Sequence, residues 1–249
     1  MKSKIKYIQS LSQKKFREEE GVFVAEGPKI VEEILHAGNV LLKELYATRK
    51  WIDEHPEVHQ ELNSSLVEIS DGDLERISFL QTPNQVMGVF TFPVFPSFDP
   101  ADKISLMLDT IQDPGNLGTI LRCADWFGVE QVICSKGCVD TFNPKVIQST
   151  MGSITRVQVI YADLPSIIHS HNTIPVYAAM LNGKRVAQYK PIKQGFILIG
   201  NESKGIDPAL LPSVHHRLTI PRRGNAESLN AAVATGIILA YLVGELDAG

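Results

Sequence analysis

The sequence predicts a two-part α/β protein: a small N-terminal α/β sandwich, then a larger domain built on a mostly parallel sheet. Three observations carry this. Short apolar runs of strand length alternate with helical patterns along the chain. A proline-dense segment, Thr91–Lys103 (TFPVFPSFDPADK), denies the backbone both helix and central-strand hydrogen bonds and marks a boundary. The 249 residues, 44% hydrophobic and 21% charged, suffice for one large core or two modest ones. The predicted division is residues 1–92, a linker 93–103, and a second domain 104–249.

In the first part, VFVAE (Val22–Glu26) reads as a strand, and Pro28 suits the first turn of a helix ending at Gly38. LKELYAT, SLVEI and QVMGVF are further strands, with DLERI a short helix between the last two. The opening KSKIKYIQSLSQKKFR is the most basic stretch, either a solvated terminal helix or an RNA contact. After the linker, ISLMLD (Ile104–Asp109) is a near-continuous apolar run, as in a strand covered on both faces. Asn116–Phe127 is helical, VEQVICS a strand and PKVIQST helical. VQVIYA, IPVYAAM, GFILIG and HRLTIP complete the strands, and Ser228–Val243 is a closing helix, apolar around most of its circumference.

A net charge of −4 excludes a protein held on nucleic acid by bulk positive charge, though not a local basic patch. Cys123, Cys134 and Cys138 cannot pair completely and read as reduced thiols, no signal-like apolar stretch comes after the charged start, and no run is long enough to span a bilayer. These features predict a cytoplasmic protein. His169 and His171 flank a predicted loop, and His215 and His216 point apart on a strand as a surface and a structural histidine. P-loop, dinucleotide-binding and nucleophile-elbow signatures are absent, and the cysteine spacing does not make a zinc site.

The informative pattern lies just beyond the strand ends. LMLD runs into TIQDPGNLGTILR, FILIG into NESKGI, and LTIP into RRGNAESLNAA. Three Gly-bearing polar loops thus leave one edge of a sheet, where α/β domains bind ligands. Taken singly, each has a plain structural reading: Asn116 or Ser228 as a helix N-cap, Glu202 as a solvated carboxylate. Three such loops together point to a site.

The segments DPGNLGTILRCA, IGNESKGI and IPRRGNAESLNAAVA resemble motifs 1, 2 and 3 of the SpoU (TrmH-type) RNA 2′-O-methyltransferases, in family order. FVAEGPKIVEEIL and TPNQVMGVF resemble that family's N-terminal substrate-binding domain, an L30e-like sandwich. The resemblance implies a C-terminal trefoil knot, S-adenosylmethionine as methyl donor with no metal, a ribose 2′-hydroxyl of RNA as acceptor, and a homodimer. Ribosomal RNA is the first substrate class it suggests and transfer RNA the second. Base methylation and a catalytically silent RNA-binding protein on the same scaffold are the rival readings.

By motif position, Asn116, Arg122, Glu202, Ser228 and Asn230 belong to the catalytic site. Gly200, Ile220 and Leu229 match the positions that hold the cofactor, with Leu181, Asn201 and Pro221 nearby. Lys14, Lys15, Arg17, Arg222 and Arg223 are the expected RNA contacts. Gln148, in NPKVIQSTMGS, replaces an arginine common in the family and removes one cation. A guanidinium is a donor with a pKa above ~12, so two roles stand open for Arg122. It orients and polarises the hydroxyl, or, as a neutral guanidine, it takes the proton itself. Asn116 and Asn230 are expected to hold Arg122, and Glu202 to fix its orientation.

Overall fold

A computed structural model describes residues 2–62 and 65–244. The chain divides into two compact units, Met1–Phe95 with Asp140–Thr155, and Pro96–Val139 with Arg156–Gly249.

The first unit carries strands β1 (Val22–Glu26), β2 (Leu42–Ala47), β3 (Leu66–Glu68) and β4 (Val86–Thr91), in the order β1-β4-β2-β3. β4 runs antiparallel to both its neighbours, and β3 parallel to β2. The two-residue alternation of β1 puts Val22 and Val24 on one face. There they join Ile5, Ile8 and Leu11, contributed by helix α1 (Lys2–Ser10) and the turn before α2 (Lys14–Glu20). The basic opening is therefore not a solvated terminal helix, because its apolar face is part of a core. Pro28 opens α3 (Pro28–Leu35), which buries Ile30, Val31 and Ile34. Two short helices that the sequence pattern does not reveal come next, α4 (Arg49–Glu54) and α5 (Pro56–Glu61). Ser70 caps α6 (Asp71–Ile77) by accepting from Asp73 N.

Phe23, on the other face of β1, meets the ring of Phe142 at 5.5 Å, and Phe142 stacks on Phe92 at 4.1 Å. Phe142 belongs to Asp140–Thr155, which includes helix α8 (Pro144–Thr150) with Val146, Ile147 and Thr150 buried. By sequence this segment falls within the second half; its packing places it in the first unit. Arg17 is part of the same packing. It is 2% exposed; Nη1 donates to the carbonyls of Leu11 (2.7 Å) and Ser12 (2.9 Å), and Nη2 to Asp140. The expectation that Arg17 contacts RNA is therefore corrected: its terminal donors are consumed inside the fold. Lys14 and Lys15 are exposed beside Glu18 and Glu19, at 3.5 and 3.7 Å.

The second unit is a six-stranded sheet: β5 (Ile104–Leu108), β6 (Gln131–Cys134), β7 (Gln158–Tyr161), β8 (Val176–Arg185), β9 (Gly195–Ile199) and β10 (His216–Thr219). The order is β10-β8-β9-β5-β6-β7, and every neighbouring pair is parallel. Met107, Phe196, Leu198 and Val176 pack with Leu164 and Ile168 of α9 (Leu164–Ser170). The sequence pattern does not reveal this helix; Asp163 caps it by accepting from Ser166 N, and His169 lies in its last turn. Helix α7 (Pro114–Trp126) comes after β5 and packs against α10 (Ala231–Leu242), the closing helix. His215 Nδ1 accepts from Val176 N, while His216 stacks on Tyr177 at 4.5 Å. β9 lies on one side of β5 and β6 on the other, so the strand order reverses at β5. Such a reversal opens a crevice at the carboxyl ends of the strands.

Candidate active site

The loops at those carboxyl ends meet through side chains. Asp113 caps α7 by accepting from Asn116 N at 2.8 Å, so it, and not Asn116, begins the helix. Asn116 is thereby free to look outward. Its Nδ2 donates to Glu202 Oε1 at 2.6 Å, and its Oδ1 accepts from Asn230 Nδ2 at 2.7 Å. Asn230 is the N-cap of α10, its Oδ1 accepting from Ala232 N (2.9 Å) and Val233 N (3.2 Å). Ser228, the cap candidate from sequence, is exposed two residues before it. The two backbone donors fix which end of the Asn230 amide faces α10, and that choice propagates. Asn230 must present nitrogen to Asn116, and Asn116 must then present nitrogen to the Glu202 carboxylate. One residue from each polar loop enters a one-way hydrogen-bonded relay that ends on a negative charge.

Beneath the relay, the turn after β5 is strained and clamped. Thr110 has φ 59°, a left-handed conformation that a β-branched residue avoids. Its hydroxyl donates to Asp109 Oδ1 (2.9 Å), its N–H to Ser135 Oγ (2.9 Å), and its carbonyl accepts from Asn201 Nδ2 (2.8 Å). Asp109, 7% exposed, also accepts from Asp207 N at 2.7 Å. Ile111 N donates to Cys138 Sγ at 3.3 Å. The Cys138 thiol is pulled down to about 7, first by its hydrogen bond with Cys134 and then, against burial, by that N–H. Strain of this kind persists only where neighbours over-determine it. The motifs do not mark Asp109, Thr110, Ser135 and Cys138 as site residues; the one sequence sign is an acidic residue ending a buried strand.

Asn201 closes the turn after β9. Its Oδ1 accepts from Ser203 N and Lys204 N, both at 3.0 Å, and its backbone pairs in both directions with Gly205 at 2.9 Å. The turn it closes is tight: a Cβ on Gly200 would sit 2.5 Å from the Gly205 carbonyl carbon, which only glycine permits. Leu181 is 82% exposed because the β8–β10 ladder jumps from Ala178 opposite Arg217 to Lys184 opposite Leu218, so residues 179–183 bulge outward. Thr219 Oγ1 holds that bulge by donating to the Leu181 carbonyl at 3.0 Å. Leu229 is 45% exposed, and residues 221–230 are exposed throughout, Pro221 and Arg223 included. Ile220 is partly buried just after β10. Arg222 shapes its own loop by donating to the Ala226 carbonyl at 3.1 Å.

Arg122 departs from expectation. It is exposed on α7 and has no hydrogen bond or ion pair among the described residues. The predicted pairing with Glu202 does not occur, because Glu202 binds Asn116 instead. Six residues of helix turn Arg122 well away from the face that carries Asn116. It lies one turn before Trp126, which is 81% exposed.

Comparison with known proteins identifies the family. Residues 103–240 match the SpoU rRNA Methylase family, and residues 2–88 match an MRM3-like substrate binding domain. The chain is 33% identical to the 23S rRNA (guanosine(2553)-2′-O)-methyltransferase RlmP of Bacillus subtilis, over 97% of this chain and 96% of that protein. Among solved structures it resembles an RNA methyltransferase of the TrmH family from Porphyromonas gingivalis, described as putative, with 36% identity, a TM-score of 0.80 and 94% of each chain covered. It also resembles an AdoMet-bound rRNA methyltransferase from Sinorhizobium meliloti, with 30% identity, a TM-score of 0.83, and 94% of this chain and 92% of that one covered. The chain belongs to the SpoU rRNA methylase family.

Proposed function

We propose that the protein transfers a methyl group from S-adenosylmethionine to a ribose 2′-hydroxyl of ribosomal RNA. The observation that carries this is the Asn230–Asn116–Glu202 relay, which joins the three polar loops at the carboxyl ends of the parallel strands. S-adenosylmethionine supplies a methyl group on a cationic sulfur. The residues present fit it: Leu181 and Leu229 offer bare apolar surface to a flat heterocycle. Gly200, Ile220 and Leu229, with Leu181, Asn201 and Pro221, are the assigned cofactor contacts; Asn201 also closes the turn. The family's trefoil knot, threading the C-terminal segment, is part of the same proposal.

Methyl transfer to an alcohol needs a lined-up nucleophile that loses its proton as it attacks. Alignment of this kind is worth on the order of 7–11 kcal/mol. The unpartnered donors of Arg122 are suited to orient the hydroxyl and an adjoining phosphate, with Ser228 beside the path. Glu202 acts through Asn116 and Asn230 by holding the loops in register. The MRM3-like unit is assigned to RNA binding, with Lys14 and Lys15 exposed on it, and Arg222 and Arg223 on the third motif.

The same reading includes a homodimer. α10 is apolar almost all round, yet among the described residues Val233 stays 51% and Tyr241 47% exposed on it, and Trp126 of α7, the helix packed against it, is exposed as well. A second copy covering these side chains is the homodimer this reading expects. The test is incubation with labelled S-adenosylmethionine and total RNA from a methylation-deficient strain. Label in large-subunit ribosomal RNA is the expected result; label confined to transfer RNA, or none, overturns the proposal.

A further inference from the structure

We infer that the β8–β10 edge of the second unit is an RNA-backbone contact that grips phosphates beside the methyl-transfer site, an inference that rests on the RNA methyltransferase reading above. The first observation is charge segregation. From Leu164 to Ala226 the chain carries eight Lys and Arg but only two acidic residues, Glu202 and Asp207, in a protein whose net charge is −4. Neither carboxylate serves the edge: Glu202 is bound to Asn116, and Asp207 accepts from Ala209 N.

The second observation is that the cations here are unpaired. Elsewhere basic side chains face carboxylates, as in Lys4–Glu44, Arg49–Asp53, Lys103–Glu130 and Arg156–Asp125. Lys184, Arg185, Lys190, Lys193 and Arg217 are all exposed, and none has an ion pair among the described residues. Surface pairs contribute little to stability, so an unpaired cluster costs the fold little. It does create a local positive field against an acidic background.

The third observation is geometric. Lys184 and Arg185 lie opposite Leu218 and Thr219 in the ladder, directly after Arg217. The strands touch there: a Cβ on Gly183 would fall 2.4 Å from the Arg217 carbonyl oxygen. Tyr189 stands edge-on to both Tyr177 and His216 and carries the Lys184 ammonium 4.7 Å from its ring centre, so this cation is held on a fixed support. Thr219, which pairs with Arg185, is the residue that ties down the Leu181 bulge. The cationic edge therefore adjoins the assigned cofactor positions. A phosphate backbone is the occupant that this charge pattern fits, since phosphate contacts fix register and orientation on a nucleic acid without reading its bases.

The test compares wild type with Lys184→Ala/Lys190→Ala/Lys193→Ala on a 23S ribosomal RNA transcript, measuring binding against salt together with methyl transfer. Removing one phosphate-binding cation flattens the log–log salt slope by about 0.7–0.9. The expected result is a slope flatter by ~2, RNA KM raised about tenfold or more, and unchanged S-adenosylmethionine affinity. Lys190→Glu/Lys193→Glu, outside the strand ladder, gives the same readout should Lys184 prove necessary for folding, as checked by circular dichroism. An unchanged slope and KM with normal wild-type transfer overturns this surface alone, including the case in which the edge serves an acidic protein. A wild-type protein that methylates no RNA overturns the underlying reading and the surface with it.

Discussion

Arg17 and Arg122 both sit on helices and both stand out in the sequence, yet they are opposites in the fold. Arg17 is 2% exposed and has its terminal donors spent on Leu11, Ser12 and Asp140. Arg122 is exposed and spends none among the described residues. The difference teaches that an arginine's role is read from the groups already occupying its donors. A guanidinium whose terminal nitrogens are bound by its own fold is a strut, whereas one left open on the surface is available to a ligand.

Six variants test and sharpen the contrast. Arg17→Met carries the largest expected effect: it strands Asp140 and two carbonyls, and breaking such a buried pair costs about 3 kcal/mol or more. The urea midpoint should fall accordingly, whereas Arg122→Met should leave it within about 0.5 kcal/mol of wild type. Arg122→Ala should lower methyl transfer about 10²–10³-fold, the scale for removing one donor from a reacting group. Its affinity for S-adenosylmethionine, followed by calorimetry, should stay within about twofold of wild type. Asn230→Ala removes the α10 cap and the start of the relay, costing about 1 kcal/mol in thermal stability. It should also slow transfer, and Asn230→Asp, which keeps the cap oxygen but turns an acceptor toward Asn116, should restore stability without restoring rate. The smallest effect belongs to Lys14→Ala/Lys15→Ala. These lysines face Glu18 and Glu19, so filter binding should show RNA affinity reduced only about two- to threefold.

Strands are readable in the sequence where burial is continuous. β1, β5 and β9 are short apolar runs with polar ends, and they lie where the pattern puts them. The three polar loops are readable too, because each comes directly after such a run, and Asn116, Glu202 and Asn230 do meet. Other features depend on partners distant in sequence. No local pattern reveals that Asp140–Thr155 packs under β1, since that packing rests on Phe142 against Phe23 and Phe92. Without it the burial of Arg17 is invisible, and its basic neighbourhood suggests a surface. α9 hides behind a sequence with histidines and only two turns of apolar residues, although its Asp163 cap and early Pro165 are visible signals. The Thr110 strain is a backbone property that residue type argues against, and it is legible only from the neighbours that enforce it.

The most direct test of the central claim is the chemistry of the product. After transfer from labelled S-adenosylmethionine to a ribosomal RNA transcript, the RNA is digested with alkali, which needs a free 2′-hydroxyl to cleave. Ribose methylation predicts label in alkali-stable dinucleotides, lost in the Arg122→Ala protein; label recovered in mononucleotides would place the methyl group on a base and contradict the account.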